Sequence, residues 1–168
     1  MLASLGLLLG AVGGCGGGRG GGSDGNQDSP PGAACEPLDG GVVPDGATIG
    51  QIAYRVIGGF SAGGDGTSLQ IKPDGTLTRT TSQRGTEHGQ LDPATLDDLV
   101  GKARAAQLPT LCLMYSCAGC GDAYSYDVSV QIDGVTHSVQ ASMLASPLPD
   151  RLQAVLEALQ AIVMRPLP

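Results

Sequence analysis

A chain of 168 residues has room for one domain of ordinary size. Its formal net charge of −7 removes the basic footprint that nucleic-acid binding needs. With 3% aromatic residues and no Trp, it also lacks the rings on which bases stack or sugars rest.

Leu2–Val12 is an apolar run bounded by Gly13, Gly14 and Cys15. It falls short of the roughly 20 residues a membrane-spanning helix needs, and matches a signal-peptide h-region. No Lys or Arg precedes it. Val12-Gly13-Gly14-Cys15 resembles a lipobox, the recognition motif of the bacterial lipoprotein signal peptidase. That resemblance implies a lipoprotein signal peptide over residues 1–14 and lipidation of Cys15. The mature chain would then hold to a membrane through acyl chains such as palmitate, each buried methylene contributing about 0.8 kcal/mol. Gly16 rather than Asp follows the cysteine. By similarity to enteric lipoproteins, this implies a place in the cell envelope at the outer membrane.

Residues 15–45 are rich in Gly, Pro, Ser and Asp. Such a segment cannot bury enough apolar surface to offset its ordering entropy, so it is expected to be a flexible tether. Asp24, Asn26 and Asp28 have the spacing of half a calcium loop. Ser29 at the sixth position and Cys35 at the closing position break that pattern.

Residues 46–168 are expected to fold. Ile49–Ile57, enriched in β-branched residues, predicts a strand ending at Gly58-Gly59. Thr67–Lys72 and Thr76–Thr81 flank Lys72-Pro73-Asp74-Gly75, a hairpin turn that sets Ile71 opposite Leu77. Asp92-Pro93 opens a helix with Leu96, Leu99, Val100 and Ala103 on one side, and Pro109 ends the run. Tyr124, Tyr126, Val128, Val130 and Ile132 alternate strictly with polar residues. Asp133-Gly134 turns the chain, and Val135, His137, Val139 and Ala141 continue the same face. Leu152, Val155, Leu156, Leu159 and Ile162 then form an apolar helical stripe after Pro147 and Pro149. Each hairpin has one apolar face and each helix one stripe to cover it. The expected class is α+β, an antiparallel sheet of hairpins with two helices packed on one face.

At this level the domain resembles the emfourin family, small bacterial inhibitors of protealysin and related thermolysin-type metalloproteases. The resemblance runs from Ile49 to Val163 through Gly58-Gly59-Phe60, Leu91-Asp92-Pro93, the Tyr124–Ile132 strand, Asp133-Gly134, His137-Ser138-Val139 and the closing helix. The lipid-bearing tether and the insertion Cys112–Cys120 depart from the family. The resemblance implies a non-catalytic binding domain whose partner is an extracellular metalloprotease. The alternative is a non-inhibitory lipoprotein that binds another envelope protein.

Four cysteines remain after Cys15: Cys35, Cys112, Cys117 and Cys120. An even count in an oxidising compartment predicts two disulfides, with three connectivities open. The alternatives are a zinc site from Cys112, Cys117 and Cys120 with Cys35 or His137, or redox chemistry at Cys117-Ala118-Gly119-Cys120. Thiolates compete poorly with oxidation outside the cytosol, and a strand rather than a helix follows Cys120, so no metal or redox centre is expected. Gly59-Phe60-Ser61-Ala62-Gly63 fits the nucleophile-elbow pattern and Gly63–Thr67 a phosphate-binding one, but no helix follows either. His137 is expected on the covered face and His88, beside Glu87, in solvent. No acid, base or nucleophile is spaced to assist either, so no catalytic residue and no cofactor is expected.

Overall fold

A computed structural model of the chain describes residues 41–58, 66–116, 124–143, 145 and 147–167. These residues make strands β1 (Ile49–Ile57), β2 (Ser68–Ile71), β3 (Thr76–Thr81) and β4 (Gly85–Gln90), then helix α1 (Pro93–Ala105). A 3-10 turn over Leu108–Thr110 leads to β5 (Met114–Tyr115), β6 (Ser125–Ile132), β7 (Val135–Ser142) and helix α2 (Asp150–Met164). The seven strands form one sheet in the order β4-β3-β2-β1-β6-β7-β5. Every pairing is antiparallel except the short parallel one of β5 with β7. This is the α+β architecture expected from the hairpin and helix pattern.

The two central strands, β1 and β6, are hydrogen-bonded along both of their edges. Their register sets Ile52 opposite Val130 and Tyr54 opposite Val128. The same face continues outward through Leu69 and Ile71, then Leu77, and on the other side through Val139 and Ala141. All of these are buried, because α1 and α2 pack over this face with Leu99, Ala103, Leu152, Val155, Leu156, Leu159 and Ile162 turned inward. Strand period and helix period therefore meet in one core. The opposite sheet face carries Ala53, Gln70, Thr78, Ser129 and Ser138 in register, and neither helix covers it.

Local chemistry sets the turns. In the β2–β3 hairpin the Gly75 N–H donates to the Lys72 carbonyl at 2.9 Å, with Gly75 at φ +81°. Asp74 Oδ1 accepts the Thr76 N–H at 2.9 Å, and Ile71 does stand opposite Leu77. In the β6–β7 hairpin Asp133 and Gly134 both have positive φ, 48° and 83°, the twist a two-residue turn requires. Asp92 caps α1, its Oδ1 accepting the Thr95 N–H at 2.9 Å, with Pro93 at the first helical position. Helix α1 stops at Ala105, ahead of Pro109, because Gln107 adopts the left-handed conformation at φ 50°.

Gln107 also holds the start of the domain. Its Oε1 accepts the Val43 N–H at 2.6 Å and its Nε2 donates to the Val43 carbonyl at 3.0 Å. Val43 and Ala47 are buried in the core, so packing begins slightly ahead of residue 46. Thr48 then pairs with the β6–β7 turn, its N–H donating to Asp133 Oδ1 at 2.8 Å and its carbonyl accepting the Asp133 N–H at 2.9 Å.

Two strands have no counterpart in the sequence pattern. β4, Gly-Thr-Glu-His-Gly-Gln, has two glycines and no large apolar residue. It forms because Ser82–Arg84 returns the chain beside β3, and its inner face needs only to meet Leu167 over Gly89 and the buried Arg79 beside Glu87. β5 is two residues long and depends on β7 for its pairing.

Candidate binding surface

Among the described residues, the two histidines do not converge. His88 sits exposed on β4, opposite Thr78, with Nδ1 3.2 Å from Thr78 Oγ1. His137 sits half-buried opposite Val130, so it faces the helices while His88 faces away from them. Cys112 is 2% exposed, its N–H donates to the Tyr115 hydroxyl at 3.3 Å, and it is disulfide-bonded. Cys15, Cys35, Cys117 and Cys120 lie outside the described residues, as do Asp24, Asn26, Asp28 and the Gly59–Asp65 part of the glycine-rich motifs. Among the described residues, no group of three or more His, Cys, Asp or Glu side chains could hold a metal. No described helix is long and apolar enough to cross a membrane.

The polar groups with shifted or buried chemistry serve the fold. Arg79 is 1% exposed, the one charged side chain of the described core. Its Nε and Nη2 donate to Glu87 Oε2 at 3.0 and 2.7 Å, and its Nη1 donates to the carbonyls of Val163 and Arg165 at 2.7 and 2.6 Å. One guanidinium thus ties β3, β4 and the end of α2 together, and its positive charge complements the negative end of the helix dipole. Tyr54 stacks on Tyr126 with ring centroids 6.0 Å apart. Burial pushes the Tyr54 phenol up to about 12, a hydrogen bond with Gln160 offsetting part of the effect. Hydrogen bonds from Thr95 hold the Asp92 carboxyl below its ordinary range, and those from Thr76 do the same for Asp74. Neither carboxylate is buried, and both stabilise local turns.

What remains is surface relief. One trough of about 340 Å³ runs between α1 and α2 beside Thr95, Asp98, Lys102 and Arg165. A second of about 210 Å³ lies on the open sheet face around Arg55, Ser68, Gln70 and Asp127. A third of about 270 Å³ is bounded by Leu77, Asp92, Arg165 and Leu167. The widest of these four, about 440 Å³, lies between the end of β7 and the start of α2. Tyr126, Met143, Leu148 and Leu156 supply its apolar surface, and Asp150 and Glu157 stand on its helix side. Exposed Tyr124 adjoins it through the hydrogen bond from the Met143 N–H to the Tyr124 carbonyl, 2.7 Å. Sequence reading missed this trough because its walls come from a strand, a loop and a helix. The linear hint is Asp150, Gln153, Glu157 and Gln160 recurring at helical spacing beside the apolar stripe.

The fold and its surfaces define a sheet-and-two-helix α+β domain with an apolar, acid-flanked trough at one end. Comparison with known protein families and with characterised proteins finds no match to this chain.

Proposed function

We propose that this chain is a lipid-anchored envelope protein whose domain works by contact rather than by chemistry, and that its partner is a thermolysin-type metalloprotease that it inhibits. The anchor rests on the signal-like run and Cys15, and the partner on the emfourin resemblance. The observation that carries the contact-only reading is the placement of the two histidines, on opposite faces of the sheet and outside any shared cluster among the described residues. Arg79, Tyr54, Asp74 and Asp92, the polar groups with special environments, are all committed to holding secondary structure together.

Two measurements test the two halves separately. Full-length chain in detergent, titrated into purified thermolysin-type proteases, is expected to remove activity stoichiometrically. Undiminished activity of several such proteases at micromolar excess removes the inhibitor. Metabolic labelling with palmitate is expected to mark the protein and to be lost in Cys15→Ser. An unlabelled wild-type chain removes the anchor.

A further inference from the structure

We propose that the trough between β7 and α2 takes an extended peptide segment of a partner protein, one that sets an apolar side chain beside a lysine or arginine. The proposal rests on the contact-only reading and deepens it by naming the chemistry of the partner's contact segment.

Charge balance separates this trough from the other three. Between the helices, Asp98 is ion-paired with Lys102, and Arg165 lines the same trough. On the open sheet face Arg55 stands directly across from Asp127 in the β1–β6 register. Beside Leu77, Asp92 shares the wall with Arg165. The first of these surfaces keeps a surplus positive charge, and in the other two each carboxylate is matched by a cation in the same lining. In the β7–α2 trough Asp150 and Glu157 are the charged lining residues, and both are negative. Glu157 Oε1 accepts a 2.8 Å hydrogen bond from Gln153 Nε2, a neutral partner that orients the carboxylate without cancelling its charge. Two carboxylates with no cation among the described lining residues, set above an apolar floor, favour a cation carried on an apolar segment.

The floor gives the second half of the specificity. Tyr126 stacks on buried Tyr54, so its ring is held in place before any ligand arrives. Leu148 is half-buried, and Met143 is 56% exposed, an adaptable side chain at the open rim. A preordered ring beside a movable thioether suits one inserted aliphatic side chain.

The chain preceding the domain does not reach this surface at its root. It joins at Val43–Thr48, beside the Asp133-Gly134 turn. The trough lies at the other end of β7, whose eight residues span about 23 Å. The surface is therefore turned away from the point where the N-terminal segment leaves the domain.

The test uses full-length chain in detergent and three fluorescent seven-residue peptides, alternating Leu with Lys, Leu with Glu, and Ser with Lys. The Leu–Lys peptide is expected to bind saturably and to weaken with added salt. Asp150→Asn with Glu157→Gln is expected to weaken it about fivefold, as loss of two surface charge pairs implies. Asp45→Asn with Asp97→Asn removes the same net charge elsewhere and should leave binding unchanged. Met143→Ser should weaken binding at high salt as well as low. Four results overturn the proposal: no saturable binding, equal binding of the Leu–Glu peptide, equal binding of the Ser–Lys peptide, or equal loss in the two charge-removal variants. A protease titration run alongside keeps the readings distinguishable. Inhibition without peptide binding removes only the trough, and peptide binding without inhibition removes only the protease.

Discussion

Glu87→Ala tests this fold through what it leaves behind. The Arg79 guanidinium, 1% exposed, would keep its two bonds to the carbonyls of Val163 and Arg165 and lose its counter-charge. Removing one partner of a buried ion pair costs about 3–5 kcal/mol. The Glu87 side chain is 30% exposed, so water can reach the vacated Nε and Nη2, which lowers the expectation to about 2–3 kcal/mol. For a domain of this size that corresponds to a fall in Tm of about 6–15 °C. Arg79→Met should cost less, about 1–2 kcal/mol, because the freed carboxylate can turn to solvent and the methionine fills the apolar slot. The double variant Arg79→Met with Glu87→Ala should therefore be more stable than Glu87→Ala alone. Urea unfolding followed by circular dichroism measures all three against wild type. If Glu87→Ala lies within about 0.5 kcal/mol of wild type, or the double variant is the least stable of the set, the buried-charge argument is wrong.

Other outcomes follow from the same geometry. The Tyr54 phenol ionises near 10 when unfolded and near 12 when folded, so the folded state holds its proton longer. Its contribution is complete below pH 10 and is lost as pH rises through 12; Tyr54→Phe should flatten that alkaline decline in a pH series of melting curves. Asp92 and Asp74 have depressed folded values, so their stabilisation is present above the ordinary carboxylate range and fades as pH falls below it. Asp92→Ala should lower Tm at neutral pH and make the acid-side slope shallower, and an unchanged slope would rule out the cap as its source. Gln107→Ala deletes both bonds to the Val43 backbone and should cost about 1–3 kcal/mol, together with faster amide exchange at Val43; exchange at wild-type rate there would show that the clamp does not hold the domain's first residues.

Most of the scaffold was legible in the chain because its signals are local. Strict alternation over Tyr124–Ile132, Asp133-Gly134 with both residues at positive φ, the Asp92-Pro93 helix start and the 152–162 stripe each act within a few residues. Once each apolar face exists, covering it with the two helices is nearly forced. The motif around Cys15 and the acidic balance are likewise properties of the sequence as written.

Tertiary structure alone decided the rest. β4 carries too little β-propensity to announce itself and exists because β3 offers a free edge and Arg79 needs a counter-charge. Strand period puts Arg79 on the Leu77 face, but only the pairing with β4 and the packing of α2 give its charge partners there, Glu87 and the carbonyls of Val163 and Arg165, the latter two 84 and 86 residues away in sequence. The trough beside α2 is the same kind of object. Asp150 and Glu157 follow helical spacing and Tyr126 strand spacing, but only the packing of a helix beside a strand end sets two negative charges over an apolar floor. Periodicity and turn chemistry act through neighbouring dihedrals, whereas buried charge and surface shape depend on contacts between residues that the chain keeps far apart.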